Sequence, residues 1–311
     1  MTTEIKNLDP DIVEAFEGLR EAMKACEDND RKQAKVAIDR IDADDDCRDK
    51  EVKRFREDAD KIINEMKEQF NALKHNYEEK LRPHENVATN LHKVYTDTWQ
   101  VVGQEVEPIL TDIQQRQQQT HWTGPGAEAY MQQLPVQLAA VTEFQQYVEV
   151  AGYGVETPAL LQHGAFQNFQ ILLNTWKEAL SGYANTDTGE HYFQRCAWAG
   201  SALKQANDWF IANLMTGTDQ WKQPLDEHVR QMTSSKVTTP EVLKNDAWPS
   251  ATSGGDSSSV TPPTESKYTA PSQASQPAAP PSAERGEDEG LKDPDYRGGR
   301  SGGDGKGGWW T

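Results

Sequence analysis

Apolar side chains recur at helical spacing through most of the sequence, and this pattern restricts the chain to helical folds. The clearest series begins after Asp49, where apolar residues follow one another in steps of three and four. Its members are Phe55, Ala59, Ile62, Met66, Phe70, Leu73, Tyr77 and Leu81. Such steps place side chains on one face of an α-helix. The series therefore predicts a long amphipathic helix over 49–82, ended by Pro83.

Two shorter helices are predicted before the long one. The pair Asp9 and Pro10 suits a helix start, because aspartate caps free N–H groups and proline fits the first helical position. Apolar stripes follow over 10–27 and again over 30–43, with acidic residues between them that favour a turn. We therefore interpret 1–84 as a charged, helical N-terminal region.

The middle of the chain is predicted to contain two helical hairpins. One apolar stripe runs from Val87 to Ile113 and another from Tyr130 to Ala151, separated by a Gly/Pro turn, which predicts an antiparallel hairpin over 85–155. We expect Pro108 to bend its first helix. Stripes over 165–180 and 191–215 predict an additional hairpin within 156–233. No alternating pattern long enough for a β-strand is present, so the predicted fold class is all-α, an elongated helical bundle.

The C-terminal quarter differs sharply in composition from the rest. Residues 234–311 are rich in Pro, Ser, Ala and Gly and contain almost no aliphatic side chains. Such a segment cannot bury enough apolar surface to offset the entropy that it would lose on folding. We therefore predict a disordered tail over 234–311.

Net charge and composition exclude several classes of protein. With 32 basic and 50 acidic residues the formal charge is −18, which repels nucleic acid and anionic membranes. No apolar stretch approaches the roughly 20 residues of a transmembrane helix. The first residues lack the basic and apolar regions of a signal peptide. We therefore expect a protein without a transmembrane segment that is either cytoplasmic or exported by a signal-peptide-independent route.

The turn of the first hairpin carries the most specific motif in the sequence. It contains Trp122, Gly124, Pro125, Gly126 and Glu128. The two glycines allow backbone conformations and close approaches that a side chain forbids. Glu128 is expected in the first helical turn, where a carboxylate meets free N–H groups and the positive end of the helix dipole. Trp122 can cover the end of the hairpin with its ring.

This turn resembles that of the Trp-x-Gly (WXG) family of small helical hairpins exported by type VII (ESX) secretion systems. The likeness is to the early secreted antigenic target branch, whose turn follows W-x-G-x-G-x-E-A-Y, and it covers about 85–155. The matching residues are Trp122, Gly124, Gly126, Glu128, Ala129 and Tyr130. The resemblance implies a non-enzymatic, secreted or cell-surface substrate or accessory protein. Its implied partners are the secretion ATPase and export machinery, with a paralogous WXG protein or a second copy of the chain as a further partner.

The same family carries a Tyr-x-x-x-Asp/Glu export signal after its hairpin. Here Tyr183 and Asp187 match that spacing. Their position departs from the family pattern, since about 30 residues and a third helix intervene, and the chain is about three times as long as a typical member. The alternative interpretation is a polar turn between two helices.

A second Trp-x-Gly match lies at Trp198, Ala199 and Gly200. It falls inside a predicted helix rather than at a hairpin turn. We therefore interpret it as helix packing.

No motif for catalysis, cofactor binding or metal binding is present. The acidic run Asp42, Asp44 and Asp46 imitates an EF-hand, but Cys47 and Lys53 occupy the positions that need Gly and Glu. The histidines show no zinc-ligand spacing. The function that competes with export is a cytosolic scaffold or adaptor, in which the helix over 49–82 would form a coiled coil with another chain or a groove on the bundle would bind a partner helix.

Overall fold

A computed structural model describes residues 5–42, 49–118, 121, 123–189, 191–215, 226, 230 and 291–292 of the chain. These residues are helical almost throughout, which confirms the predicted all-α fold. They divide into two compact units. The hairpin unit comprises 1–6, 86–163 and 219–275, and the bundle unit comprises 7–85, 164–218 and 276–311.

The helices and strands follow one another in a simple order. Helix α1 spans Asp9–Asp42 and α2 spans Asp49–Asn76, which continues as a π-helical turn, Tyr77–Leu81, and a 3₁₀ turn, Arg82–His84. Helix α3 spans Val87–Val94 and leads through a π-helical turn, Tyr95–Gln100, into α4, Val101–Gln117. Helix α5 spans Pro125–Ala184, and α6 spans Gln194–Phe210 with a π-helical turn, Ile211–Met215, after it. Two short strands, β1 at His191–Tyr192 and β2 at Leu291–Lys292, complete the list.

The core of the bundle unit lies between α1, α2, α6 and the last part of α5. Phe16 of α1 lies in this core, and its ring is 5.5 Å from that of Tyr77 and 5.8 Å from that of Phe169. The apolar stripe predicted for α2 is buried in this core, with Ile63 in place of Ile62 as the member that is fully covered. That face of α2 is therefore used within the unit.

Helix α1 corrects the prediction of two separate helices over 10–27 and 30–43. The acidic residues read as a turn lie inside one continuous helix. Asp30 is buried and accepts hydrogen bonds from Arg195 and from the N–H of Cys196. Asn29 donates to the carbonyl of Ala184 at 2.9 Å. Polar residues that favour turns in isolation are held in the helix here because distant partners satisfy them.

Helix α5 corrects the predicted boundary between 155 and 156. It continues through Pro158 and Gly164, so the stripe over 165–180 is the last part of α5 rather than a new helix. Gly152 serves packing rather than a break, because a Cβ there would lie 3.2 Å from Cβ of Trp99 and 3.3 Å from Cε2 of Tyr95. Sequence spacing alone does not distinguish a glycine that allows two helices to pack closely from a glycine that ends a helix.

A short strand pair was not predicted. His191 pairs with Lys292, and Tyr192 with Leu291, in antiparallel register. Two residues of the region predicted to be a disordered tail therefore lie against the bundle unit, while the rest of 234–311 lies outside the described residues. The interpretation of Trp198 as helix packing is confirmed, because it is buried within α6 and a Cβ on Gly200 would lie 3.5 Å from the backbone of Met66.

Candidate recognition site at the hairpin turn

Helices α4 and α5 pack side by side in the hairpin unit and run in opposite directions. Arg116, near the end of α4, hydrogen-bonds to the hydroxyl of Tyr130, near the start of α5. Gly103, near the start of α4, faces Val148 much further along α5. This order confirms the antiparallel hairpin. Its core comprises Val106, Ile113, Leu134 and Val141, with Val102, Leu110, Tyr130, Leu138 and Phe144 packed around them.

The turn between these helices is built from a closed helix end and a left-handed glycine. The N–H of Gln118 bonds to the carbonyl of Gln115 and ends α4. Gly124 has φ +112°, a conformation that disfavours any residue with a Cβ, and α5 begins at the next residue, Pro125. The carbonyl of Gly124 then accepts the N–H of Glu128 at 3.0 Å. Gly124 thus has the backbone conformation expected of a glycine at this turn.

The conformational reason expected for a glycine at Gly126 is not met in the structure. Gly126 lies in the first turn of α5 with ordinary helical backbone, and nothing lies within 4 Å of the position that a Cβ would occupy. Neither its conformation nor the space around it requires glycine within the described residues. Trp122 lies outside those residues.

The surface around the turn is exposed and bears one charged group from the motif. Glu128 lies in the first turn of α5, as predicted, and its side chain is exposed. Tyr130 is half-buried, and Arg116 connects it to Asp112 through a 2.7 Å ion pair. His121, Thr123, Pro125 and Gly126 are also exposed. The motif therefore offers an accessible backbone turn beside a carboxylate.

An aromatic pair and two partly buried carboxylates away from the hairpin turn were missed from the sequence. The ring of Trp99 lies 6.2 Å from that of Tyr147. Glu149 and Glu156 of α5 are partly buried, and burial raises the pKa of both carboxyls, an effect that His92 opposes at Glu156. Their spacing in the sequence carries no catalytic or ligand pattern that could have identified them.

The structure places Tyr183 and Asp187 in very different environments. Tyr183 is the last but one residue of α5, and its ring is buried 5.7 Å from that of Trp198. Asp187 is exposed in the following loop, where its Oδ1 accepts the N–H of Gly189 at 3.0 Å. The two residues are close in sequence, but only Asp187 lies at the surface.

Other candidate chemistry receives no support from the described residues. They contain no group of His, Cys, Asp or Glu arranged to hold a metal ion, and Asp44, Asp46 and Cys47 lie outside them. The thiol of Cys26 is buried, and burial raises its pKa to about 12. No helix in the described part of the chain is long and apolar enough to cross a bilayer.

Comparison with known proteins gives no relative for this chain. No protein-family model matches it, and searches of curated proteins and of solved structures found no match. The likeness to Trp-x-Gly proteins therefore rests on the turn motif and on the helical hairpin that carries it.

Proposed function

We propose that the protein is a non-enzymatic substrate or accessory protein of a type VII (ESX-like) secretion system, recognised through the turn of the hairpin unit. The observation that carries this proposal is the left-handed Gly124, which ends a W-x-G motif and directly precedes α5 in an antiparallel helical hairpin. The match at Trp198 lies within a single helix instead.

The physical form of the turn suits recognition by another protein. Backbone groups are accessible where a glycine has no side chain, and the exposed Gly126 keeps the first turn of α5 narrow. Glu128 adds a charge beside it. A binding surface on the export machinery with an apolar pocket for Trp122 and a cation for Glu128 would complement this surface.

The experiment compares culture filtrate and cell lysate from the native host by immunoblotting, with and without its type VII secretion ATPase. A cytosolic marker controls for lysis. We expect the wild-type protein in the filtrate only when the ATPase is present, and we expect Trp122→Ala to lower export much more than expression. His121→Ala is the matched control, because it removes an exposed ring next to the motif. Retention of the wild-type protein in both strains would overturn the proposal.

A second function, that of a helical scaffold or adaptor, is favoured by a different observation. The apolar face of α2 is buried in the bundle unit, so it cannot serve the coiled coil considered from the sequence. Val87 and Val94 of α3 are exposed, however, and their seven-residue spacing places both on one face of the helix. Val101 and Ile109, which follow the π-helical turn, are exposed as well. This second function would be supported by two results together. The protein would stay in the lysate, and the wild type would capture a partner there that the Val94→Asp variant does not.

A further inference from the structure

A groove with a volume of 360 Å³ lies between α1 and α2 in the bundle unit. Its floor is apolar and its rim is charged. The floor is formed by Ala34, Ile38, Phe55, Ala59 and Phe193, and the rim by Arg31, Lys35, Asp39, Arg56 and Asp60. The volume lies within the range of ordinary ligand and peptide sites.

Two cations on the rim are available to a ligand. Arg31 is engaged, because it pairs with Glu27 at 2.9 Å and lies 3.8 Å from Asp60. Lys35 on α1 and Arg56 on α2 are exposed and form no ion pair within the described part of the chain. Both residues flank the same apolar floor, Lys35 from α1 and Arg56 from α2. In a chain with a formal charge of −18, such a pair favours an acidic ligand.

The strand pair brings one acidic segment of the chain within reach of the groove. Tyr192 of β1 pairs with Leu291 of β2, and the residue that follows β1 is Phe193, part of the groove floor. Because the strands are antiparallel, the chain that precedes Leu291 leaves the pair on the Phe193 side. Glu287, Asp288 and Glu289 lie only two to four residues before Leu291, a reach of at most about 14 Å.

We propose that this groove binds the acidic segment Glu287–Asp288–Glu289 of the same chain, with Lys35 and Arg56 as its ion-pair partners. Leu291 and Lys292 tether the segment beside the groove, so binding is intramolecular and benefits from a high effective concentration. A short acidic segment thereby holds the C-terminal region against the bundle unit. This inference is independent of any role in secretion.

The test is zero-length cross-linking of the full-length protein with a carbodiimide, which joins a lysine amine to a carboxylate in direct contact. We expect a cross-link between the tryptic peptide 33–40, through Lys35, and the peptide 286–292. Glu27 and Lys67, which lie 2.9 Å apart on α1 and α2, provide the internal positive control. Arg56→Glu should lower the yield of the 33–40 to 286–292 cross-link about fivefold, since it replaces attraction by repulsion.

Arg54→Glu is the matched control, because Arg54 is an exposed cation of α2 that does not line the groove. Its yield should stay within about twofold of the wild type. Absence of the cross-link while Glu27 and Lys67 are joined would overturn the proposal, as would an equal loss of cross-link yield in both variants.

A mixture of unlabelled and ¹⁵N-labelled protein distinguishes an acidic segment of the same chain from that of a second copy. Cross-links of mixed isotope composition would assign the groove to the segment of a second copy and contradict intramolecular binding.

Discussion

Asp30 and Arg195 form an ion pair inside the bundle unit, although 165 residues separate them in the sequence. Nη1 of Arg195 lies 2.7 Å from Oδ1 of Asp30, and the two side chains are 10% and 0% exposed. The second carboxylate oxygen accepts the N–H of Cys196 at 2.9 Å. Burial raises the pKa of Asp30, while the hydrogen bonds from Cys196 and Arg195 oppose that rise. The pair therefore joins α1 to the start of α6.

Replacement of Arg195 by Ala should strongly destabilise the bundle unit. The substitution leaves the Asp30 carboxylate buried without its cation, and loss of one partner of a buried pair costs about 3–5 kcal/mol. It also removes the hydrogen bond to the carbonyl of Thr186. We expect a correspondingly lower free energy of unfolding in urea, followed by far-UV circular dichroism. Arg31→Ala is the control and should cost less than about 1 kcal/mol, because Arg31 is half exposed. Equal effects of the two substitutions would show that the buried pair does not stabilise the fold.

The interaction of Glu27 with two cations should make stability depend on pH in the acid range. Burial disfavours the charged carboxylate, but hydrogen bonds from Lys67 and Arg31 outweigh it and lower the pKa below 4.5. A lowered pKa in the folded state adds stability that is present above pH 4.5 and is lost as the pH falls through the folded-state pKa. We therefore expect Glu27→Gln to be about 1 kcal/mol less stable than the wild type at pH 7. The difference should shrink as the pH falls below 4.5.

Urea titrations of the wild type and of Glu27→Gln at a series of pH values measure this difference. Glu17→Gln is the control, because Glu17 pairs with Arg20 at an exposed position on the same helix. Its effect on the free energy of unfolding should be less than about 0.5 kcal/mol at pH 7. A difference between wild type and Glu27→Gln that grows in acid would contradict the assignment.

The two glycines of the hairpin turn should respond in opposite directions to replacement by alanine. Gly124→Ala places a Cβ at φ +112° and should cost about 1–3 kcal/mol. Gly126→Ala adds a methyl group to the first turn of α5 where the space is open, and it should stabilise the helix by up to about 1 kcal/mol. Thermal and urea unfolding of both variants measures these effects. Destabilisation by Gly126→Ala equal to that by Gly124→Ala would mean that the first turn of α5 needs a glycine after all.

Helical periodicity was sufficient to predict elements whose apolar face is buried within the chain. The stripe from Phe55 to Tyr77 identified α2, because spacing alone defines a helical face. Helical periodicity failed to predict the local structure where a long-range contact determines it. Asp30 was interpreted as part of a turn, since nothing near it in the sequence indicates Arg195 as its partner. The helix was predicted to end at about 155 although it continues, because the close approach of Gly152 to Trp99 depends on the packing of two helices.

The candidate site was predictable in part for the same reason. A left-handed glycine before a proline is a local feature, so Gly124 and the start of α5 followed from the motif. The groove that Lys35 and Arg56 border could not be predicted, because it requires the packing of α1 on α2 and the return of the chain at Leu291. Sequence spacing reports which residues share a face, but it does not report what lies opposite.

The proposed export signal can be tested at Asp187 without damage to the fold. Tyr183 is buried against Trp198, so Tyr183→Ala should destabilise the bundle unit by about 3–5 kcal/mol and would confuse export with folding. Asp187→Asn keeps an oxygen that can accept the N–H of Gly189 and removes only the charge. If the Tyr-x-x-x-Asp pattern is recognised, this variant should be exported severalfold less than the wild type, with a free energy of unfolding within about 0.5 kcal/mol. Immunoblots of filtrate and lysate measure export, and Glu178→Gln, at an exposed carboxylate of α5, is the matched control. Normal export of Asp187→Asn would leave the hairpin turn as the sole candidate signal and identify Asp187 as a loop residue that caps Gly189.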